Sequence, residues 1–279
     1  MSKQTTLTAL GGAGIDPTPP KTKPAKKSVK LPEIDMTNSV FTLTFGDAAE
    51  NHVGMEMIGK KGDEGSGYTV DELREIATHF PKAELHVLNT NEEQDEAAVL
   101  VIRNILSDEL HKSMFEEQAK LDHDKKAFMY GRVVNKKARW NLCFDTVGHD
   151  PDYEAAKGRV VAMTDIPITK LFVDTFPTTF GPKSIGLKGE GNYYYDLKSC
   201  GIGWHGDSER RKVIALRLGG TMNICYRWYH KNKPTSEITT IINLNGGDLY
   251  IMSEKAVGND WKCSSKHTLR HAAGALATE

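Results

Sequence analysis

Cysteine is scarce in this chain, with four residues among 279. Cys143, Cys200, Cys225 and Cys263 form no Cys-x-x-Cys pair, show no zinc-binding spacing and are too sparse for a disulfide scaffold. A reducing compartment is therefore expected, and the predicted location is intracellular, in the cytoplasm or the nucleus.

Long apolar runs and a strong net charge are also missing. No apolar run approaches ~18 residues, the length of a membrane-spanning helix, and the N-terminus lacks the apolar core of a signal peptide. The 36 basic and 37 acidic residues give a formal net charge of -1. No membrane partner is expected, and any binding of nucleic acid must depend on local basic patches.

The composition divides the chain into three expected parts. Residues 1–33 are rich in proline and lysine and cannot bury enough apolar surface to fold, so a disordered basic tail is expected. Its lysines could carry a nuclear address or touch nucleic acid, although a solvated leader is favoured. Residues 34–125 are interpreted as an N-terminal α/β extension packed on the core, and residues 126–279 as the core domain.

The extension begins with a strand and a capped helix. Residues 40–45 alternate as a strand does, and residues 46–67 are expected to be a loop. Thr69 and Glu72 form a capping-box pattern before a helix that ends at His79 to Pro81. Further elements are expected at residues 99–102 (strand), 107–121 (helix) and 164–176 (helix, with Pro167 in its first turn).

Short strands then follow one another closely. They are expected at residues 191–196, 212–218, 222–229, 237–244 and 248–252. This density predicts a double-sheet roll. The expected fold class is therefore α+β, with a double-stranded β-helix (jelly-roll) core, buttressing helices and an N-terminal extension.

The pattern most informative about function is His205-Gly206-Asp207. In a strand, side chains two residues apart point the same way, so this imidazole and carboxylate can bind one cation. A second histidine would complete the facial triad of non-heme Fe(II) oxygenases. Taken alone, His-x-Asp is more often a surface turn or a hydrogen-bonded pair.

The order of motifs around this pair resembles the AlkB family of 2-oxoglutarate/Fe(II) oxygenases. Asn192-Tyr193-Tyr194 is similar to the family's Asn-x-Tyr strand, which contacts 2-oxoglutarate. Residues 202–209 match Ile-Gly-x-His-x-Asp-x-Glu, and residues 213–219 match the following strand with its Leu-Gly end. The resemblance spans Tyr130 to His271, and it implies that Asn192 and Tyr194 hydrogen-bond the co-substrate.

The stretch from Tyr130 to Asn141 is similar to the family's nucleotide-recognition lid. Its cations can neutralise phosphates, and an aromatic ring there offers a base a stacking face for roughly 1–3 kcal/mol. The alternative is a solvated, charged hairpin. The substrate-binding residues that the resemblance implies are Tyr130, Arg132, Lys136, Lys137, Arg139 and Trp140.

The resemblance also implies a distal histidine, for which the chain offers two candidates. Residues 245–252 are similar to the strand that precedes this ligand in the family, but the distance to either candidate is long, so residues 253–265 are expected to be an insertion or a reorganised loop. His271 is preferred because small residues follow it, and His267 is the second choice. The alternative for either is a strand-end histidine that donates to a backbone carbonyl.

A family feature is missing after His271. The family pairs the distal carboxylate of 2-oxoglutarate with an arginine on a later strand, and no arginine follows His271 here. The final strand is therefore expected to be absent, truncated or replaced. A guanidinium elsewhere can grip a carboxylate, and the candidates in order of preference are Arg217, Arg270 and Arg227. Arg217 could equally be an outward-facing strand residue.

The resemblance implies an enzyme with Fe(II) and 2-oxoglutarate as cofactors. His205, Asp207 and His271 would hold the metal, and the expected reaction is hydroxylation or demethylation of a nucleobase in DNA or RNA, reached in a single strand or by base flipping. A hydroxylase of protein or of a small molecule is a second reading, because fold does not fix substrate. The third is a nucleic-acid-binding module without turnover. The sequence does not indicate an oligomeric state.

Overall fold

The computed structural model describes residues 34–235 and 240–278, which belong to one compact unit. The expected basic tail, residues 1–33, lies outside the described residues, as do the first three residues of the strand expected at 237–244.

The described residues form seventeen strands and five α-helices. The strands are β1 (Val40–Gly46), β2 (Ala48–Glu50), β3 (Met57–Gly59), β4 (Ala83–Val87), β5 (Ala98–Ile102), β6 (Lys126–Met129), β7 (Arg132–Asn135), β8 (Trp140–Asp145), β9 (Val160–Ala162), β10 (Lys188–Tyr194), β11 (Gly201–His205), β12 (Val213–Gly219), β13 (Met222–His230), β14 (Lys233–Pro234), β15 (Thr240–Leu244), β16 (Leu249–Met252) and β17 (Thr268–Gly274). The helices are α1 (Val70–Thr78), α2 (Asp108–Ala119), α3 (Pro167–Val173), α4 (Phe176–Phe180) and α5 (Glu254–Val257). Short 3₁₀ turns lie at Met163–Asp165, Pro182–Ser184 and Ala275–Thr278.

Two sheets dominate the structure. The larger has eight strands in the order β4-β5-β16-β12-β1-β10-β8-β9, and all its neighbours are antiparallel except β8 and β9. In the smaller sheet β11, β17, β13 and β15 lie side by side, and β14 pairs with the end of β13. Two hairpins, β2–β3 and β6–β7, stand apart from both sheets.

Strand periodicity explains how the layers pack. Phe41, Leu43 and Phe45 of β1 point to one face of the larger sheet, where they join a core with Leu73 of α1 and Met114 of α2. On the opposite face, side chains of β5, β12 and β16 form a second core with β13, β15 and β17. The molecule is thus a helix layer, a large sheet and a smaller facing sheet, which confirms the predicted α+β class.

The expected division at residue 125 does not separate two parts. Strand β1 is buried along its whole length and pairs with β10 on one side and β12 on the other. Strand β5 pairs with β16 in the same sheet. Residues 34–125 therefore contribute interior strands to the core sheet, because both faces of β1 carry side chains that the core buries.

Other local predictions have mixed outcomes. The capping box of α1 is present: Glu72 N donates to Thr69 Oγ1 over 3.1 Å, and Thr69 N donates to Glu72 Oε2 over 2.8 Å. Residues 46–67 contain β2 and β3 as well as loop, so the prediction of a loop is only partly correct. The helix expected over 164–176 is wrong as one element, because Ile166 at φ -126°, ψ 65° breaks it before Pro167 starts α3, and α4 follows separately. None of the helices in the described residues is long and apolar enough to cross a membrane.

Candidate metal centre

A cavity of about 360 Å³ opens between the two sheets. The face of the larger sheet that borders it is polar where the opposite face is apolar: β1 contributes Thr42 and Thr44, β10 contributes Glu190 and Asn192, and β12 contributes Arg217. The smaller sheet contributes His205 at the end of β11 and His271 on β17. Each of these strands of the larger sheet has an apolar face and a polar face, and other parts of the protein cover both. The alternation of side chains therefore points the polar ones into the cavity.

Three potential metal ligands converge in this cavity. His205, Asp207 and His271 each offer one ligand atom, and these atoms lie within 4.8 Å of one another. Asp207 Oδ1 is 3.5 Å from His205 Nε2 and 3.6 Å from His271 Nε2. Ligands about 2.1 Å from one ion on adjacent octahedral corners are about 3 Å apart, so small side-chain adjustments suffice to bind a cation.

Backbone features hold this triad. His205 and His271 are paired across β11 and β17, and an irregularity in the register between Ile202 and His205 turns the chain toward the cavity. At Gly206 the backbone passes so close to Gly258 that an added Cβ would lie 2.1 Å from the Gly258 carbonyl oxygen. Glycine at this position therefore permits the tight bend that places Asp207 beside both histidines.

The protonation states favour a cation site. Burial, together with the neighbouring His271, lowers the pKa of His205 to about 3, so its imidazole is neutral at physiological pH. Burial alone would raise the pKa of Asp207, but the charge of Arg210 and the contact with His271 lower it, so this carboxyl is ionised. Metal ligands must be deprotonated, and both of these are. His205 Nδ1 lies 2.8 Å from the Gly203 carbonyl, and the tautomer that donates there leaves Nε2 available as a ligand.

A buried network surrounds Asp207. Arg210 Nη2 lies 2.8 Å from oxygens of Glu190 and Glu209, and Arg210 Nε lies 3.8 Å from Asp207 Oδ2. Glu190 Oε1 in turn accepts from Asn192 Nδ2 over 3.0 Å. Arg210 thus offsets the negative charge of three carboxylates and restrains the orientation of Asp207.

Arg217 is the largest polar side chain that the fold buries completely, with 1% exposure. Among the described residues, its Nε and Nη1 have no hydrogen-bond partner, and the same is true of Thr42 Oγ1, directly across the ladder, and of Tyr226 OH. Burial lowers the pKa of Arg217, whereas Tyr250, Tyr194 and Asp248 act to raise it. Arg217 and Thr42 both line the cavity, where unpaired guanidinium and hydroxyl donors match the needs of a carboxylate.

The two residues expected to contact a co-substrate also line this cavity. Asn192 and Tyr194 lie on β10 with their side chains on its cavity face. Asn192 Oδ1 accepts from Arg139 Nε over 2.7 Å, so its amide orientation is fixed, with Nδ2 toward Glu190. Tyr194 is 4% exposed and lies close enough to Arg217 and Arg139 for both charges to act on its phenol.

The lid prediction needs correction, because of its six residues Arg139 alone lines the cavity. Tyr130, Arg132 and Lys137 are exposed at or near the β6–β7 hairpin, away from the cavity lining. Lys136 is wrong as a phosphate contact. Its ammonium is buried by the side chains of Asn51 and Asn141, to which it donates, and burial lowers its pKa to about 8.

Trp140 is likewise engaged within the fold. Its ring stacks on Tyr195 with centroids 4.4 Å apart, and Lys125 Nζ lies 4.3 Å from its centroid. The stacking face expected for a base is therefore occupied by protein side chains.

Three other candidate ligands, Arg270, Arg227 and His267, have side chains that lie outside the cavity. Arg270 and Arg227 are register partners that do not line the cavity, because strand alternation puts them on the face opposite His271. Arg270 packs instead on the rings of Tyr229 and Trp261. His267 stacks on His230, with ring centroids 4.5 Å apart, and is not part of the triad.

Several residues of the cavity have no part in the sequence prediction. They are Thr42, Glu190, Arg210 and Tyr250. The signal for the first was available: threonine at every second position of an otherwise apolar strand marks a polar cavity face. Glu190 could have been found by counting back two residues from Asn192. Arg210 follows the bend after Asp207, where no strand or helix periodicity indicates which side chains face the cavity.

Comparison with known proteins identifies a relative of this chain. No protein-family model matches it. It is 46% identical to the uncharacterized protein R156 of Acanthamoeba polyphaga mimivirus over 246 residues, which cover 84% of this chain and 94% of the relative. The chain therefore belongs to the same family as this mimivirus protein, whose description assigns no function.

Proposed function

We propose that the protein is an Fe(II)- and 2-oxoglutarate-dependent dioxygenase that hydroxylates or demethylates a nucleobase in DNA or RNA. The observation that carries the proposal is the presence, in one cavity, of a two-histidine, one-carboxylate cluster and a buried arginine whose Nε and Nη1 have no hydrogen-bond partner among the described residues. The first suits Fe(II), and the second suits the distal carboxylate of a 2-oxo diacid.

The path of the chain supports a double-stranded β-helix. From β10 onward the chain visits the larger sheet at β10, β12 and β16 and the smaller sheet at β11, β13, β15 and β17. An eighth strand of such a roll would belong between β10 and β12, and β1 occupies that place. In this arrangement β1, which precedes the core in sequence, would serve as the eighth strand of the roll.

Each cavity residue has a role in this proposal. His205, Asp207 and His271 would hold the metal, while Arg210 keeps Asp207 ionised and Glu190 holds Arg210 in place. Arg217, with Thr42 and Tyr226 beside it, would bind the distal carboxylate of 2-oxoglutarate, and Asn192 and Tyr194 would contact the same molecule. Bound Fe(II) with 2-oxoglutarate and O₂ supplies the power to oxidise an unactivated C–H bond.

The test is thermal and chemical unfolding of anaerobic protein with Mn(II) as a redox-inert substitute for iron, with and without 2-oxoglutarate. A ligand at about a hundredfold over its Kd stabilises the native state by about 2.7 kcal/mol, so each ligand should shift the transition of the wild type. His271→Ala should abolish the Mn(II) shift. His267→Ala, the matched control four residues earlier, should retain it.

Equal loss in both variants, or no shift in the wild type, would contradict the metal assignment. If Mn(II) stabilises and 2-oxoglutarate adds nothing, the co-substrate is a different acid. Release of succinate with a methylated oligonucleotide, and none without it, is the result expected with iron and oxygen; succinate release with a peptide instead would favour a protein hydroxylase.

A further inference from the structure

The segment between β16 and β17 forms one wall of the cavity entrance. It includes α5 and the turns after it, and two of its residues, Trp261 and Lys262, line the cavity together with Ser208. On another side of the entrance lie residues 50–53 and Arg139. The long spacing before the distal histidine therefore has a structural outcome: it adds an aromatic ring and a cation beside the triad.

Trp261 is held rigidly in this wall. Its Nε1 donates to Ser208 Oγ over 2.9 Å, and an added Cβ at Gly206 would lie only 2.8 Å from its Cδ1. Arg270 approaches the ring to 5.0 Å and donates to the Trp261 carbonyl over 3.4 Å. The indole is thereby fixed against the bend that carries His205 and Asp207, next to the place where a reacting group must lie.

Two cations lie at the entrance. Lys262 is exposed, with its Nζ 5.4 Å from the centroid of the Trp261 ring, and Arg139 uses its Nε for Asn192. Among residues 34–235 and 240–278, neither forms an ion pair with a carboxylate, whereas Lys255 in the same wall is bound by Asp95 and Asp260. A lysine and an arginine of this kind beside a fixed indole are the elements that proteins use to bind single strands, where the ring stacks a base and the cations contact phosphates.

We propose that Trp261 is the stacking platform for the target base, and that Lys262 and Arg139 bind the phosphates of the single strand that carries it. This inference rests on the proposed function and names the part of the chain that recognises its substrate. Substrate recognition is thereby assigned to the wall contributed by residues 253–265. The β6–β7 hairpin, whose residues do not line the cavity, has no part in it. A base stacked on Trp261 lies beside the histidine and carboxylate ligands.

The test is the affinity of a short single-stranded oligonucleotide with one N-methylated base, measured by fluorescence anisotropy with and without Mn(II) and 2-oxoglutarate. Trp261→Leu should weaken binding by about 5- to 150-fold, the range for loss of one stacked base, and Trp261→Phe should recover most of it. Lys262→Glu should weaken binding and lower the salt dependence of log K by about one unit of slope. Lys266→Glu, the same charge change on an exposed residue outside this cavity, should leave the slope unchanged.

Affinity within twofold of wild type for Trp261→Leu would overturn the proposal, as would equal effects of Lys262→Glu and Lys266→Glu or no binding by the wild type. Oligonucleotide binding that depends on Trp261 in a protein without any metal shift would support this inference and reject the oxygenase.

Discussion

Arg217 illustrates how a single residue can indicate a ligand. A buried charge without hydrogen bonds costs several kcal/mol, so such groups are normally paired or excluded from a core. Arg217 is 1% exposed, and Asp248, whose charge acts on it, is itself paired with Arg103. An anion that enters the cavity would relieve this cost, and the relief would add to its binding energy.

Replacing Arg217 by methionine should therefore have opposite effects on two measurements. Methionine has a similar length and no charge, so the free energy of unfolding of the ligand-free protein should stay level or rise by about 1–4 kcal/mol. The additional thermal shift by 2-oxoglutarate should disappear, while the Mn(II) shift remains. Urea unfolding with and without each ligand gives both values; a variant that is destabilised yet still binds 2-oxoglutarate would show that Arg217 has only a packing role.

His123 is a buried histidine outside the cavity. Its ring lies beside the stacked rings of Phe41 and Tyr193, with centroids 5.3 and 5.4 Å away, and its Nε2 has no hydrogen-bond partner among the described residues. Burial lowers its pKa to about 4. Because the unfolded chain takes up this proton near pH 6.5 and the folded chain does not, the contribution of His123 to stability is complete above pH 6.5 and is lost as the pH falls toward 4.

We expect the free energy of unfolding of His123→Phe to fall less than that of the wild type as the pH is lowered. Between pH 7 and 4, the wild type should lose about 3 kcal/mol more unfolding free energy than the variant, which cannot be protonated there. Urea titrations of metal-free protein at several pH values measure this difference. Parallel curves for the two proteins would show that the imidazole is solvated or protonated in the native state.

At the residue level, the sequence is most informative where the relevant geometry is local. His205 and Asp207 are two positions apart, so the bend at Gly206 brings their side chains within 3.5 Å of each other. Lys136 was misread because its burial depends on Asn51, 85 positions away, and no local pattern records that contact. The choice of Arg217 as the first candidate stays a prediction until a co-substrate is bound.

At the scale of elements, the bend after β11 decides whether the triad can form. Gly206 passes Gly258 at the C-terminal end of α5 with no room for a side chain, whereas nothing lies within 4 Å of a Cβ added at Gly203, three residues earlier. The two glycines thus provide a matched pair in one stretch of chain.

Gly206→Ala should destabilise the protein by about 1–3 kcal/mol, the usual cost of overpacking, and should weaken Mn(II) binding because Asp207 moves with the bend. Gly203→Ala should leave both properties nearly unchanged. Thermal unfolding with a Mn(II) titration separates the two effects; an unaltered metal affinity in Gly206→Ala would mean that α5 moves instead of the bend.

The ends of helices and strands were predictable where the residues that mark them are close together in the sequence. The capping box of α1 needs Thr69 and Glu72 alone, and it is present as expected. The break at Ile166 was missed because Pro167 suits the first turn of a helix and gives no sign of the 3₁₀ turn before it. Hairpin β2–β3 was missed because three-residue strands are too short for periodicity to appear.

At the scale of the whole molecule, composition and strand spacing predict two sheets and helices but not the order of strands. Val40 pairs with both Tyr194 and Gly219, and nothing in residues 40–46 specifies these distant partners. The alternation of phenylalanine and leucine with threonine indicates one apolar and one polar face, and it does not show that both faces are covered. A boundary between an extension and a core was accordingly predicted at a place where the sheet is continuous.

The position of β1 also determines when the larger sheet can form during synthesis of the chain. β1 leaves the ribosome roughly 150 residues before its first partner, β10, and at about 5–20 residues per second it waits roughly 10–30 s for a neighbour. Until then its apolar side chains and unpaired backbone groups are open to other contacts, such as chaperones or a second nascent chain. The part of the sheet around Thr42 forms only after both β10 and β12 have been synthesised. A fragment released before that point therefore lacks the cavity in which a carboxylate ligand would bind.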